Sequence, residues 1–322
     1  MEIRRDSLLL LVGPTAVGKT DFSLRVARQL GGEIVSADSR QIYRYMDIGT
    51  AKPSLEQRSH IPHHFIDVIA PDEQYSAGEY GRQSREVIGD LFRQGTVPIV
   101  VGGSGLYIRA LVDGFFDPSV YEPEVRERLR QRLRKVGAAA LHAELMRVDP
   151  EAGGRIHPHD SQRIVRALEV YEITGRSLSD LQKGSEGNRA NLDPLFIGLT
   201  MPRAELYRRI DRRVDDMIER GLVEEVRQLS QLGYDRSLNS MQTVGYQEIF
   251  AHLEGEISLE EAVRLIKRNS RHYAKRQLTW FRKDPRVRWL ELRGGERVDP
   301  IVERIVDIYQ ERMEYRDDGV MG

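Results

Sequence analysis

The sequence predicts an α/β fold in which a parallel sheet is flanked by helices and the chain carries an all-helical insertion. Over the first hundred residues, short apolar runs typical of buried strands alternate with stretches of helical periodicity. After Gly114 the pattern is helical only, until a further apolar run returns the chain to its sheet. Such alternation favours parallel strands, which need crossover connections. We expect a core of residues 1–114 and 195–322 with a helical insertion domain over residues 115–194.

The individual elements follow from these patterns in order along the chain. Short apolar runs predict strands over Leu8–Val12, Ile34–Ala37, His64–Ile69, Val97–Val101, Leu195–Thr200 and Val287–Leu292. Helical periodicity in the core predicts helices over residues 19–30, 77–92, 204–220, 222–232, 259–282 and 300–313. The insertion is predicted to contain helices over residues 122–136, 138–146 and 161–173, followed by a polar loop over residues 181–194.

The composition excludes several classes of function. The 322 residues include 49 basic and 50 acidic ones, so the net charge of −1 gives no general reason to expect nucleic acid as a partner. The absence of cysteine excludes a thiol nucleophile and a cysteine-based zinc site. No stretch is long and apolar enough to span a bilayer, and the first apolar run is too short for a signal peptide. We expect a soluble, cytoplasmic, monomeric protein.

The stretch Gly13-Pro-Thr-Ala-Val-Gly-Lys-Thr20 fits the pattern G-x-x-x-x-G-K-[ST] between a predicted strand and a predicted helix. In such a loop, backbone N–H groups and the helix N-terminus point at an anion, and Lys19 adds a positive charge. The Thr20 hydroxyl can hold Mg²⁺. The sequence therefore predicts a P-loop NTPase-like sheet that binds a polyphosphate, and it leaves open which polyphosphate this is.

Two further polar groups follow strands that end at the same edge of the sheet. Asp38 could ligate Mg²⁺, take a proton from a substrate or merely cap the next segment, and the pattern alone leaves all three open. The stretch Gly102-Gly-Ser-Gly105 favours close approach of the backbone to a ligand, whereas Ser104 could equally cap a helix. A nucleoside triphosphatase often has a metal-binding acid here, so hydrolysis loses support.

Basic residues are concentrated in two places. Residues 264–283 contain eight Lys or Arg and no acid, interleaved with the aromatic residues Tyr273, Trp280 and Phe281. This combination favours a nucleic-acid backbone as partner over an ordinary solvated helix face. Arg209 and Arg213 would share one helix face and could clamp a diphosphate. Neighbouring aspartates make surface ion pairs an equally good interpretation of these two arginines.

Eight stretches occur in the order and register that resemble the bacterial tRNA dimethylallyltransferases, also called isopentenyl-diphosphate:tRNA transferases. They cover the chain from residue 8 to about residue 292. They are GPTAVGKT, Asp38-Ser-Arg-Gln-Ile-Tyr43, Met46-Asp-Ile-Gly-Thr-Ala-Lys-Pro53, His63-His-Phe-Ile-Asp67, GGSGLY, Arg163-Ile-Val-Arg-Ala-Leu-Glu-Val-Tyr171, Gln242-Thr-Val-Gly-Tyr246 and Lys275-Arg-Gln-Leu-Thr-Trp-Phe-Arg282.

The resemblance implies a reaction in which dimethylallyl diphosphate prenylates N6 of the adenosine 3′-adjacent to the anticodon of tRNA, with Mg²⁺ as cofactor. The phosphate loop would then hold diphosphate as a leaving group. The resemblance implies that Asp38 is the general base and that Arg209 contacts the diphosphate beside Lys19. It places Ser104, where the family usually has Thr, near the reacting adenine. It places the prenyl diphosphate on Gly13, Thr15, Ala16, Val17, Gly18, Lys19 and Thr20.

For tRNA, the resemblance implies contacts by the anticodon stem-loop with the helical insertion and with residues of the core. The target adenosine would flip into a channel between the two. The implied contact residues are Asp38, Ser39, Arg40, Gln41, Ser104, Arg126, Gln162, Arg163, Arg166, Gln242, Gly245, Tyr246, Lys275, Arg276 and Arg282.

Two other functions use some of the same features. A small-molecule or nucleotide kinase shares the phosphate loop and the acid after the second strand, but it leaves the basic, aromatic stretch unexplained. A nucleotide-dependent RNA-binding protein without chemistry of its own leaves Asp38 without a role. Preference for dimethylallyl diphosphate over ATP and a steep salt dependence of tRNA binding distinguish the three.

Overall fold

The structure, a computed structural model, forms two compact units along the chain. It describes residues 7–114, 122–184, 192–293 and 298–317. The first unit comprises Met1–Ser76, Gln83–Ile108 and Asn191–Gly322, and the second comprises Ala77–Arg82 and Arg109–Ala190.

The first unit is built on one parallel sheet. Its strands are β1 (Ser7–Val12), β2 (Gly32–Ala37), β3 (His63–His64), β4 (Val97–Gly102), β5 (Asp193–Thr200) and β6 (Arg288–Glu291). All pairings are parallel and the order is β3-β2-β4-β1-β5-β6. Every residue of β1 is buried, as expected for a central strand of a sheet covered on both faces. The sheet flanked by helices is the predicted P-loop-like α/β architecture.

The described residues contain thirteen helices. They are α1 (Lys19–Leu30), α2 (Leu55–His60), α3 (Ala77–Arg93), α4 (Gly105–Val112), α5 (Pro123–Val148), α6 (Pro150–Arg155), α7 (Ser161–Thr174), α8 (Leu178–Gly184), α9 (Arg203–Glu219), α10 (Leu222–Gln231), α11 (Tyr246–Leu253), α12 (Leu259–Phe281) and α13 (Val298–Asp317). In the first unit, one apolar core joins β1 to α1, α9 and α13 through residues such as Leu9, Val26, Ile210 and Ile305. A second core packs α9 to α12 around Met46 and Tyr246.

The described part of the second unit contains no strand, and α5 and α7 pack around Leu129, Leu145 and Leu168. Two helices were predicted over the segment of α5, and the structure has a non-helical residue between them. Gly137 there has φ 82° and ψ 165°, a conformation that a residue with a Cβ rarely adopts.

Two predictions about elements were wrong. The strand predicted over His64–Ile69 ends after His64, because Phe65 and Asp67 both take positive φ values, 65° and 59°, that break an extended strand. The polar loop predicted over residues 181–194 begins as the end of α8, and its last two residues belong to β5. Its residues 185–191 lie outside the described residues. The short helices α2, α4, α6, α8 and α11 were not predicted.

Candidate active site

The loops that follow β1, β2 and β4 begin side by side at the carboxyl edge of the sheet. Val12 of β1 and Ala37 of β2 both pair in register with Gly102 of β4. The phosphate loop, Asp38 and the Gly103–Ser104 loop therefore begin side by side. The Ser104 N–H donates a hydrogen bond of 3.1 Å to the Ala37 carbonyl, which ties the second and third of these loops together.

Lys19 is the first residue of α1 and folds back over its own loop. Its Nζ donates hydrogen bonds to the carbonyl oxygens of Gly13 (3.0 Å) and Pro14 (2.8 Å). Burial of the ammonium lowers the pKa of Lys19 to about 7; Asp38 raises that pKa and Arg213 lowers it further. Lys19, Asp38 and Arg213 are therefore close enough to influence one another electrostatically.

The other residues of the phosphate loop have different surroundings. The Val17 side chain is fully buried in the sheet core, so only its backbone can face a ligand. Ala16 has a φ of 63°, a strained value for a residue with a side chain. The Thr15 N–H donates a hydrogen bond of 2.8 Å to Gln277 of α12. Thr20 is partly buried, and within the described chain its hydroxyl has no hydrogen bond to protein.

Asp38 both caps a turn and faces the site. Its Oδ1 accepts hydrogen bonds from the N–H groups of Arg40 (2.8 Å) and Gln41 (3.4 Å), which is the capping role left open by the sequence. The same carboxylate acts on residues of other elements. Burial and then Asp38 raise the pKa of Tyr273 in α12 to about 12. Capping and a place in the charged cluster therefore coexist.

The two arginines that the sequence could not separate have different environments. Arg209 is 44% exposed, lies beside Gly18 and is held at 3.4 Å by Glu205. Arg213 is partly buried; burial lowers its pKa and Asp38 raises it. Within the described chain, no carboxylate lies within ion-pair distance of Arg213. A buried cation without a direct anionic partner is electrostatically unsatisfied, which favours an anionic ligand beside it.

The predicted RNA-binding residues near Asp38 are largely engaged in hydrogen bonds. The Arg40 guanidinium donates to the Asn239 carbonyl at 2.9 Å. Gln41 donates to the carbonyl groups of residues 50 and 51 and accepts from Ser36, while the neighbouring Ser39 is partly exposed. These contacts hold the segment that follows β2 in one conformation.

The predicted stretch Gln242–Tyr246 runs from the exposed Gln242 to the buried Tyr246, which supports a loop. The Tyr246 side chain is fully buried and its hydroxyl donates to Glu225 at 2.6 Å. Glu225 also accepts three backbone N–H groups, those of residues 47, 48 and 49. Gln242 donates to the Arg236 carbonyl, and the Gly245 N–H donates to Glu248. Tyr246 therefore acts through the loop it supports, because its ring is not exposed to a ligand.

The basic stretch of α12 is divided in two by its partners. In the first half, Lys267 pairs with Asp215 of α9 at 2.6 Å and Arg271 pairs with Asp211 of α9. Arg264 pairs with Glu261 at 2.6 Å. In the second half, no carboxylate of the described chain lies within 4 Å of Lys275, Arg276, Arg282 or Lys283. Arg276 instead lies over the ring of Tyr273 at 5.7 Å. Unneutralised positive charge is therefore concentrated at the end of α12 and in the two residues that follow it.

The predicted residues of the insertion lie in the second unit. Arg166 of α7 pairs at 2.7 Å with Glu169, a fully buried carboxylate that Arg126 of α5 approaches to 3.7 Å. Arg163 stays near its helix cap, with Nε 3.4 Å from Asp160, and Gln162 is exposed. The structure thus brings Arg126 and Arg166 together on one acid and leaves Gln162 and Arg163 on the surface.

Two residues were not predicted to lie at the phosphate loop, although Gln277 belongs to the stretch Lys275–Arg282 for which the resemblance implies tRNA contacts. Gln277 contacts both the phosphate loop and the Gly103 carbonyl, and the aromatic Tyr273 lies in the field of Asp38. The sequence indicated α12 as a basic, aromatic helix, but its periodicity gave no reason to bring these two side chains to the end of the sheet.

The fold and the site define a P-loop-type α/β protein in which one carboxylate and two partly buried cations lie at the phosphate loop. The chain belongs to the IPP transferase family, whose model matches residues 41–284, and an isopentenyl transferase model matches residues 6–69. It is 46% identical over 302 residues to the tRNA dimethylallyltransferase of Carboxydothermus hydrogenoformans, covering 94% of this chain and 96% of the relative. It is 50% identical over 286 residues to that of Thermotoga petrophila, covering 88% and 92%.

Solved structures with the same fold agree with this assignment. The tRNA isopentenylpyrophosphate transferase from Bacillus halodurans is 38% identical with a TM-score of 0.74, and the match covers 98% of this chain and all of that one (100%). A eukaryotic dimethylallyltransferase acting on tRNA is 29% identical with a TM-score of 0.76, covering 89% of this chain and 74% of that one. Among the described residues, no helix is long and apolar enough to cross a membrane.

Proposed function

We propose that this protein transfers a dimethylallyl group from dimethylallyl diphosphate to N6 of the adenosine 3′-adjacent to the anticodon of tRNA, and releases diphosphate. Family membership supports prenylation of tRNA. The observation that carries the proposal is a cluster of charges at the phosphate loop. The cations Lys19 and Arg213 both lie close enough to the carboxylate of Asp38 for it to raise their pKa values. Two cations suit a diphosphate that gains charge as it leaves. No acid follows β4, so the kinase alternative is not favoured.

On the diphosphate side, the phosphate loop, Lys19 and Arg213 bind the leaving group. Breaking the allylic C–O bond sends its electron pair to the diphosphate, where these cations and the loop N–H groups stabilise the added charge. Arg209, beside Gly18, can reach the same anion if it leaves Glu205. The Thr20 hydroxyl, which has no protein partner in the described chain, fits an oxygen ligand for Mg²⁺; bound Mg²⁺ would neutralise part of the diphosphate charge.

On the nucleophile side, Asp38 accepts the N6 proton. The lone pair of an adenine amino group is delocalised into the ring, so bond formation to the allylic carbon needs removal of a proton. Asp38 is fixed through Oδ1 by two backbone N–H groups, and its second oxygen, Oδ2, has no hydrogen bond within the described chain. The Ser104 hydroxyl belongs to the loop that is tied to β2 beside this carboxylate.

For tRNA, the unneutralised positive charge at the end of α12 and just after it supplies phosphate contacts through Lys275, Arg276 and Arg282. Arg126, Gln162, Arg163 and Arg166 of the second unit supply further contacts. Phosphate contacts of this kind bring a strong dependence of affinity on salt, because bound counterions are released. An adenosine must leave its stack to reach a partly buried carboxylate, so we include base flipping in the proposal.

The experiment that tests this function measures label in RNA. Purified protein, Mg²⁺ and radiolabelled dimethylallyl diphosphate are mixed with an unmodified tRNA carrying adenosine 3′ of its anticodon, and with a matched tRNA carrying guanosine there. Label is expected in the first RNA only, with an equal amount of diphosphate released. Absence of label, together with phosphoryl transfer from ATP to a small acceptor, would contradict the proposal in favour of a kinase.

A further inference from the structure

Gln277 is a buried amide that joins two loops of the site. It is 6% exposed and lies in α12, opposite the ends of β1 and β4. Its Oε1 accepts the Thr15 N–H of the phosphate loop at 2.8 Å, and its Nε2 donates to the Gly103 carbonyl at 3.0 Å. These partners are 262 and 174 positions away in sequence, so the contact is made by the fold and not by the local chain.

The loop after β4 is shaped to receive this side chain. A Cβ on Gly103 would overlap the Gln277 amide nitrogen, and a Cβ on Gly105 would overlap the indole ring of Trp280, one turn further along α12. Only glycine leaves room at both positions. The residue between them is Ser104. The helix α12 therefore contacts the loop on either side of the hydroxyl that the resemblance places near the reacting adenine.

The chemistry of the two partners specifies an amide. A backbone N–H requires an acceptor and a backbone carbonyl requires a donor, so the orientation of the Gln277 amide follows from its partners. An ionised glutamate offers only acceptors, and methionine has a similar shape but offers neither group. Loss of a hydrogen-bond partner destabilises the protein more for a buried N–H or carbonyl than for an exposed one, because water does not replace the lost bond.

We propose that Gln277 is a positioning residue of the transfer reaction, which fixes the spacing between the phosphate loop and the Ser104 loop so that the diphosphate and the reacting base meet correctly. This inference rests on the proposed function. The same helix carries Lys275 and Arg276, so an RNA held by α12 is connected through Gln277 to the loop that holds its co-substrate. A residue that aligns two substrates affects turnover more than the binding of either one.

The test compares two variants with a control. Gln277→Met removes both hydrogen bonds, Gln277→Glu keeps the acceptor, and Gln310→Glu adds the same charge on the exposed face of α13. Transfer of label to tRNA gives kcat and KM, and inorganic pyrophosphate binding is measured by calorimetry. We expect Gln277→Met to lower kcat about tenfold or more, with KM for tRNA and pyrophosphate affinity within about threefold of wild type. Gln310→Glu is expected to match wild type.

Gln277→Glu supplies a signature that a purely structural role does not. A protonated glutamate carries an O–H that can donate to the Gly103 carbonyl, and burial beside that carbonyl raises the pKa of the introduced carboxyl. The ratio of variant to wild-type kcat is therefore expected to rise severalfold as pH falls from about 8 to about 5.5. Dividing by the wild-type rate at each pH corrects for titration of the site groups that both proteins contain, which are Lys19, Asp38, Tyr107, Arg213 and Tyr273.

The outcomes separate this inference from the proposed function. If wild type labels tRNA and Gln277→Met has the wild-type kcat, or lowers only the melting temperature, the positioning role is wrong while the function stands. A Gln277→Glu ratio that stays constant with pH also overturns it, and this arm decides the question if Gln277→Met does not fold. If wild-type protein transfers no label, the proposed function itself has failed.

Discussion

Binding of a diphosphate to the phosphate loop is expected to place a proton on Lys19. In the free protein, burial lowers the pKa of Lys19 to about 7, while Asp38 raises this pKa and Arg213 lowers it further. A bound diphosphate puts negative charge beside the ammonium and raises this pKa. At about pH 8 the free protein therefore holds mainly neutral Lys19 and the complex holds the charged form.

The size of the effect follows from the difference between the two pKa values. With a pKa of about 7, Lys19 is about one-tenth protonated at about pH 8, so binding takes up about 0.9 proton per site. A diphosphate whose last pKa is about 6 is already deprotonated there and contributes little. Because binding requires the charged lysine, the affinity is expected to fall about tenfold per pH unit above about pH 7, and to level off below it.

Calorimetry measures this uptake directly. Dimethylallyl diphosphate is titrated into the protein at fixed Mg²⁺ in buffers of different ionisation enthalpy, and the slope of binding enthalpy against that quantity gives the number of protons. Lys19→Met is expected to remove the uptake, whereas Lys135→Met, at an exposed position of α5, is expected to preserve it. A wild-type uptake near zero at about pH 8 would refute the assigned pKa and with it the coupling of Lys19 to the ligand.

Three further substitutions test other contacts. Asp38→Asn is expected to lower single-turnover transfer about a hundredfold or more while diphosphate affinity stays within about threefold, and transfer at the wild-type rate would exclude Asp38 as base. Glu225→Ala leaves four donors without their acceptor, among them the hydroxyl of the buried Tyr246, so urea denaturation should show about 2–4 kcal/mol lower stability, and an unchanged midpoint would contradict these hydrogen bonds. Gly105→Ala overpacks the loop against α12 and is expected to cost about 1–3 kcal/mol, whereas Gly154→Ala, with nothing within 4 Å, should cost nothing.

Much of the fold could be predicted because its signals are local. The phosphate loop, the buried runs of β1 and β4 and the helices on either side all follow from short patterns, and the parallel sheet follows from their alternation. The prediction failed where backbone conformation is set by packing. The strand expected over His64–Ile69 ends early at positive φ values, and α11 forms where Tyr246 is buried in a core to which α9, α10 and α12 also contribute.

The candidate site was predictable to the extent that strand ends meet at one edge of a parallel sheet. Asp38 and Ser104 lie beside the phosphate loop for that reason. Side chains that reach the edge from other elements carry no such signal. Arg209 and Arg213 are equivalent in helical spacing, and only their different surroundings separate them. Gln277 is likewise indistinguishable in sequence from any other polar residue of a basic helix.

The charges of the site residues explain how the site can bind an anionic leaving group at a low electrostatic cost in the free protein. Keeping Lys19 and Arg213 both charged beside a single carboxylate would cost electrostatic free energy. The lowered pKa of Lys19 reduces this cost near neutral pH, because part of Lys19 is then neutral. In the proposed reaction, the incoming diphosphate restores the charge on Lys19 and pairs with Arg213, so positive charge is greatest when the C–O bond breaks. Asp38 accepts backbone hydrogen bonds through Oδ1 only, so the proposal leaves its Oδ2 to take the proton that N6 loses.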